Sequence, residues 1–168
     1  MFHIPFFHFF ASASAVGFCG SRSSVPCSAV LSPCFSAVPP AVPLSVGCAP
    51  GFDSAVRSAF PSASVFSVSS FGSGRGAFAR RSISFVQSLA SSPGAVLVGA
   101  PACSCPAGLV PSASASVCFR GLGSGSWASL ALARGLGVSL LVFLPSGVLP
   151  PVSWGFSCVG GGWWWLSA

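Results

Sequence analysis

Five strand-sized runs, each broken off by glycine, serine or proline, constrain the fold of this chain more than any other feature. Residues 15–19, 44–48, 95–99 and 138–144 are short and almost wholly apolar, and residues 64–69 alternate as Ser-Val-Phe-Ser-Val-Ser. Helix-length segments stand between them, at 24–38, 54–60, 77–90 and 128–135. Runs this apolar must be covered on both sides, and the helix-length spacing rules out tight hairpins between them. The succession therefore predicts an α/β fold with an open, mainly parallel sheet and helices on both faces.

The clearest helix is 77–90. Phe78, Phe85 and Leu89 recur at helical spacing with Arg81 between them, Ile83, Val86 and Ala90 widen the apolar face, and Pro93-Gly94 marks the stop. The first helix is harder to place. Pro26 is tolerated in a first turn, but Pro33 is expected to kink or end the helix. Three units follow: an N-terminal extension at 1–14, one domain at 15–144, and a tail at 145–168. The tail, with Gly160-Gly161-Gly162 before Trp163-Trp164-Trp165, shows no period and reads as irregular.

Composition enters through what is missing. Asp53 is the single acidic residue among 168, set against seven arginines for a net charge of +6, and only 5% of residues are charged, where about 25% is usual. Apart from Met1, His3, Ile4, His8, Asp53, Ile83 and Gln87, every position is one of ten types whose codons need no adenine in the first two places. A spurious reading frame on an adenine-poor strand, with no selected product, accounts for that bias. It gives no reason for strands, glycine loops and helices to follow one another in order.

Charge and cysteine usage narrow the function. A basic chain attracts polyanions, but the arginines are scattered and no basic run marks a nucleic-acid tail. The eight cysteines include no Cys-x-x-Cys pair and no histidine partner, which argues against zinc or a disulfide framework. A reducing cytoplasm is the simpler setting. Residues 1–15 resemble a signal peptide but lack a basic start, and 138–144 is too short to cross a membrane.

Three glycine loops are the candidate site. In an open parallel sheet, ligands sit beyond the carboxyl ends of the strands. Gly20, Ser21 and Arg22 offer backbone N–H groups and a guanidinium suited to phosphate. Gly123, Ser124, Gly125 and Ser126 enter a helix whose first N–H groups form an anion site. In the middle loop, Gly47 and Gly51 precede Asp53, which is suited either to capping the helix at 54–60 or to accepting hydrogen bonds from a sugar or base.

The succession Val16-Gly-Phe-Cys-Gly20-Ser21-Arg22-Ser23, then Val46-Gly47-Cys-Ala-Pro-Gly51-Phe-Asp53, then Gly121-Leu-Gly-Ser-Gly-Ser126-Trp127 resembles the SLOG superfamily. That superfamily joins the DNA-processing protein A (Smf) family, the cytokinin-activating phosphoribohydrolases and several nucleotide-sensor domains. The resemblance spans roughly 15–144 and implies a Rossmann-like fold with the three loops on one nucleotide-binding edge. The phosphoribohydrolase branch has a Pro-Gly-Gly-x-Gly-Thr-x-x-Glu loop whose Glu serves glycosidic cleavage, and this chain has no Glu. Such cleavage normally takes a carboxyl pair. The implied function is non-catalytic binding of a nucleotide or nucleotide derivative, with no separate cofactor. Single-stranded DNA binding, as in the DNA-processing family, is the alternative. No membrane partner is expected, and a homo-oligomer is allowed.

Overall fold

Strand β1 (Val16–Gly20) lies inside a seven-stranded sheet, flanked by β2 (Leu44–Gly47) and β4 (Val96–Ala100), both parallel to it. The computed structural model describes residues 5–168. With β3 (Ser64–Phe66), β5 (Ser139–Phe143), β6 (Ser157–Gly160) and β7 (Trp163–Leu166), the strand order is β3-β2-β1-β4-β5-β7-β6. The first five strands are parallel and in the 3-2-1-4-5 order of a Rossmann-like open sheet. The α/β expectation therefore holds. Helices α2 (Ser28–Ser36), α3 (Phe52–Ala59), α4 (Arg75–Ala90) and α6 (Gly125–Gly135) make the crossovers. Short helical turns α1 (Phe7–Phe10) and α5 (Ala115–Cys118) complete the set of α-helical elements among the described residues.

The alternation of side chains along each strand divides the core into two layers. Val16, Phe18, Val96 and Val98 pack toward Leu31 and Cys34 of α2 and Phe52 and Val56 of α3. Leu97, Leu140 and Val142 face Phe85, Val86 and Leu89 of α4 and Trp127, Leu130 and Leu132 of α6. On that second face Gly17 leaves room for α4, because a Cβ there would lie 2.7 Å from Leu89 Cδ2. Pro33 stays inside α2, three residues before its end. Burial of Leu31 and Cys34 on the same helix offsets the one lost backbone hydrogen bond.

The tail differs from its expectation. Rather than lying irregularly over the surface, 145–168 forms the β6–β7 hairpin, and β7 pairs antiparallel with β5 from Leu140↔Leu166 to Phe143↔Trp163. Gly160, Gly161 and Gly162 all have positive φ and make the turn, which side chains at those angles would strain. The tryptophan run then alternates between layers: Trp163 and Trp165 join the α2–α3 side, Trp164 and Leu166 the α4–α6 side. Trp163, 2% exposed, also meets Phe6 edge-on at 5.2 Å, so the stretch before β1 packs on the sheet too. The part of the signal-like segment at 1–4 lies outside the described residues. No described helix is long and apolar enough to cross a membrane.

Candidate functional site

The strand order reverses between β1 and β4, since the chain runs outward from β1 to β3 and then crosses back to β4. Loops leaving the two strands diverge there and open a crevice. The crevice is a cleft of about 610 Å³. Gly20, Ser21 and Arg22 line it from the β1 loop, Asp53 from the start of α3, and Gly123, Ser124, Gly125 and Ser126 from the start of α6. Two sequence candidates are not among its lining. Gly47 lies beneath the Asp53–Arg81 pair, where a Cβ would collide with both side chains, and Gly51 lies against the Ser21 and Arg22 backbone. Both are spacers that let the loops approach.

The loops are tied to one another by backbone hydrogen bonds. The Ser21 N–H donates to Ala100 O at the end of β4, and the Phe52 N–H donates to Ser21 O, each at 2.9 Å. Ser21 Oγ accepts from the N–H groups of Ser23 and Ser24, closing a tight turn that sets Arg22 outward. The Arg22 guanidinium lies over the Phe78 ring, 4.6 Å from its centroid.

Asp53 is 3% exposed and is not the N-cap of its helix. Gly51, at φ 75°, is the cap residue and starts α3 two positions earlier, with no side-chain cap bond. The carboxylate instead turns back, so that Oδ2 accepts the Ala49 N–H at 3.3 Å and lies 3.5 Å from Arg81 Nη1. Its other oxygen, Oδ1, is buried without a hydrogen-bond partner, as is Arg81 Nε. Burial pushes the Asp53 carboxyl above its ordinary range; the charge of Arg81, the Ala49 hydrogen bond and the charge of Arg57 oppose the shift without cancelling it. Arg57, from the last turn of α3, donates to Gly47 O and Ala49 O and pins the loop around the carboxylate.

The third loop does not follow a strand directly. It closes the long connection from β4 through α5, and reaches the cleft because α6 packs across β4 and β5. Ser124 is the N-cap of α6 and its Oγ accepts the Trp127 N–H at 3.3 Å. Trp127 is buried and donates from Nε1 to Cys103 O at 2.8 Å, anchoring the other side of the rim. The Gly125 and Ser126 N–H groups belong to the first turn, where no intrahelical acceptor exists. A Cβ added at Gly123 or Gly125 would meet nothing within 4 Å, so open space borders these amides.

Sequence reasoning missed Arg75, Phe78 and Arg81 of α4, all of which line the cleft. A signal was present for Arg81: it stands in the apolar stripe of Phe78, Phe85 and Leu89, where a charge has to find a buried partner. Phe78 read as a core position, yet it is 36% exposed because the first turn of α4 overhangs the cleft. Three arginines, Arg22, Arg75 and Arg81, thus line the cleft together with one carboxylate. Cys19, at the floor, is held as a thiol chiefly by burial, reinforced by Asp53. Among the described residues no three His, Cys, Asp or Glu side chains cluster as a metal site requires. The arrangement of arginines and open helix-start amides can bind an anion; it contains no second carboxyl for acid–base exchange. No family model, curated protein or solved structure matches the chain.

Proposed function

We propose that the cleft binds a nucleotide or nucleotide-derived ligand without turning it over, in the manner of a SLOG-like domain. The observation that carries this reading is the convergence of loops from three distant parts of the chain at the switch point, where Arg22 and Arg75 stand beside the open first turn of α6. Arg22 and the amides of Gly123 to Ser126 hold phosphate. Asp53, which lines the cleft and whose Oδ1 has no hydrogen-bond partner among the described residues, accepts a hydrogen bond from the sugar or base. The setting is a reducing cytoplasm, in keeping with eight free cysteines.

Titration of the purified chain against a panel of nucleotides tests the proposal, with saturable binding of a mononucleotide expected. A folded Asp53→Ala variant that binds the same mononucleotide equally well would remove Asp53 from the site. Salt separates this reading from single-stranded DNA binding, which the +6 charge would favour. Affinity for a strand falls steeply with salt as counterions are released, whereas a mononucleotide site responds far less. A spurious reading frame would leave no peptides of the chain in the cell, so their detection by mass spectrometry decides against it.

A further inference from the structure

We infer that the cleft recognises a nucleobase, through a stacking wall built from Phe78 and Arg22, and not a sugar phosphate alone. The inference rests on the anion-binding reading of the same cleft. Phe78 sits in the first turn of α4, on the stripe that elsewhere carries the core residues Phe85 and Leu89. It leaves the core, is 36% exposed and lines the cleft. Exposing a phenyl ring costs hydrophobic free energy, which a planar ligand ring would recover. The Arg22 guanidinium lies over that ring, 4.6 Å from its centroid, so the ring supports a second planar layer whose outer, exposed face is the stacking surface. A guanidinium uses its face for stacking and its N–H edge for hydrogen bonds, so Arg22 can extend the wall and still reach phosphate. The rest of the cleft is lined mostly by small side chains, the glycines and serines of the first and third loops and several alanines, with Phe119 and the paired Asp53 and Arg81. A flat wall in that setting selects a ring with polar edges, and the cleft of about 610 Å³ has the size of an ordinary small-molecule site.

The test compares adenosine 5′-monophosphate with ribose 5-phosphate by calorimetry on the full chain. The wild-type chain is expected to bind the nucleotide about 10-fold or more tightly than the sugar phosphate, the usual increment for one stacked base. Phe78→Ala should erase that difference while leaving ribose 5-phosphate affinity within about 2-fold, and Phe78→Trp should preserve it. Equal affinity of the wild type for both compounds would overturn the stacking wall and leave the anion site standing. So would a Phe78→Ala loss that is the same for both compounds, since Phe78 would then act only by holding Arg22. Binding of neither compound would overturn the anion site and the stacking wall together.

Discussion

Asp53, the one acidic side chain, and Arg81, the one arginine in the apolar stripe of α4, meet beneath the cleft with Oδ2 and Nη1 3.5 Å apart. Neither is fully satisfied by the other, because Asp53 Oδ1 and Arg81 Nε have no hydrogen-bond partner among the described residues. Removing one member strands a buried charge, which typically costs about 3–5 kcal/mol. Arg81→Met should therefore destabilise the chain by about that much in urea titration, and adding Asp53→Asn to it should recover most of the loss. Additive losses in this double-mutant cycle would show that the two groups are not coupled.

The same burial sets an unusual pH response. Asp53 has its folded-state carboxyl raised above the ordinary value of 3.8, so between those limits the folded chain holds more protons than the unfolded one. Stability then falls as pH rises through the window and is regained on acidification. Most domains lose stability in acid through many carboxylates; here Asp53 is the only acidic side chain. Urea midpoints followed from neutral pH into acid should not fall by way of Asp53, and Asp53→Asn should flatten the dependence. A midpoint that drops on acidification in the wild type and not in Asp53→Asn would reverse the sign of this argument.

Gly51 starts α3 at φ 75°, and a Cβ there would collide with the backbone of Ser21 and Arg22. Gly51→Ala should cost about 1–3 kcal/mol from strain and overpacking together. Because the Phe52 N–H to Ser21 O bond joins the first two loops, this variant should also weaken ligand binding. A thermal melt and a binding titration on the same sample check both effects.

Thiol reactivity should follow burial. Cys27, Cys103 and Cys158 are exposed, whereas Cys34 and Cys118 are buried. Burial pushes the Cys19, Cys34 and Cys118 thiols above their ordinary pKa, which removes the reactive thiolate. Alkylation of the native chain, read by peptide mass spectrometry, should label the first three residues rapidly and Cys34 only after unfolding. Early labelling of Cys34 would contradict the packing of α2 on the sheet.

Trp163 tests the C-terminal hairpin. It is 2% exposed, lies in the α2–α3 layer with Leu141, and stacks edge-on with Phe6 and Phe143. Trp163→Ala should cost about 3–5 kcal/mol, as for other fully buried aromatic side chains. An irregular surface tail would place the same change within about 0.5 kcal/mol of zero, so a denaturation curve separates the two arrangements.

The parts of the fold that could be read in advance are those whose cause is local. The apolar runs at 15–19, 44–48, 95–99 and 138–144 carry their own period and glycine stops, and their spacing by helix lengths entails parallel crossovers. Arg22, Asp53 and Ser124 were legible as loop residues for the same reason. Phe78 and Arg81 were not: both sit in one apolar stripe, and local pattern cannot say that the first turn of α4 overhangs a cleft while the second meets a carboxylate from α3.

The sequence by itself determined the alternation of strands and helices, and with it the open parallel sheet, because side-chain period and glycine placement act over a few residues. Only the tertiary structure decided the rest. The β6–β7 hairpin exists because β5 offers a free edge and two apolar layers for alternating tryptophans, a stabilisation absent from the isolated segment. Asp53 became the partner of Arg81, and not a helix cap, because Gly51 begins α3 early and a buried guanidinium lies within reach. Both outcomes depend on groups far apart in the chain, and their free energy appears only once the chain has brought them together.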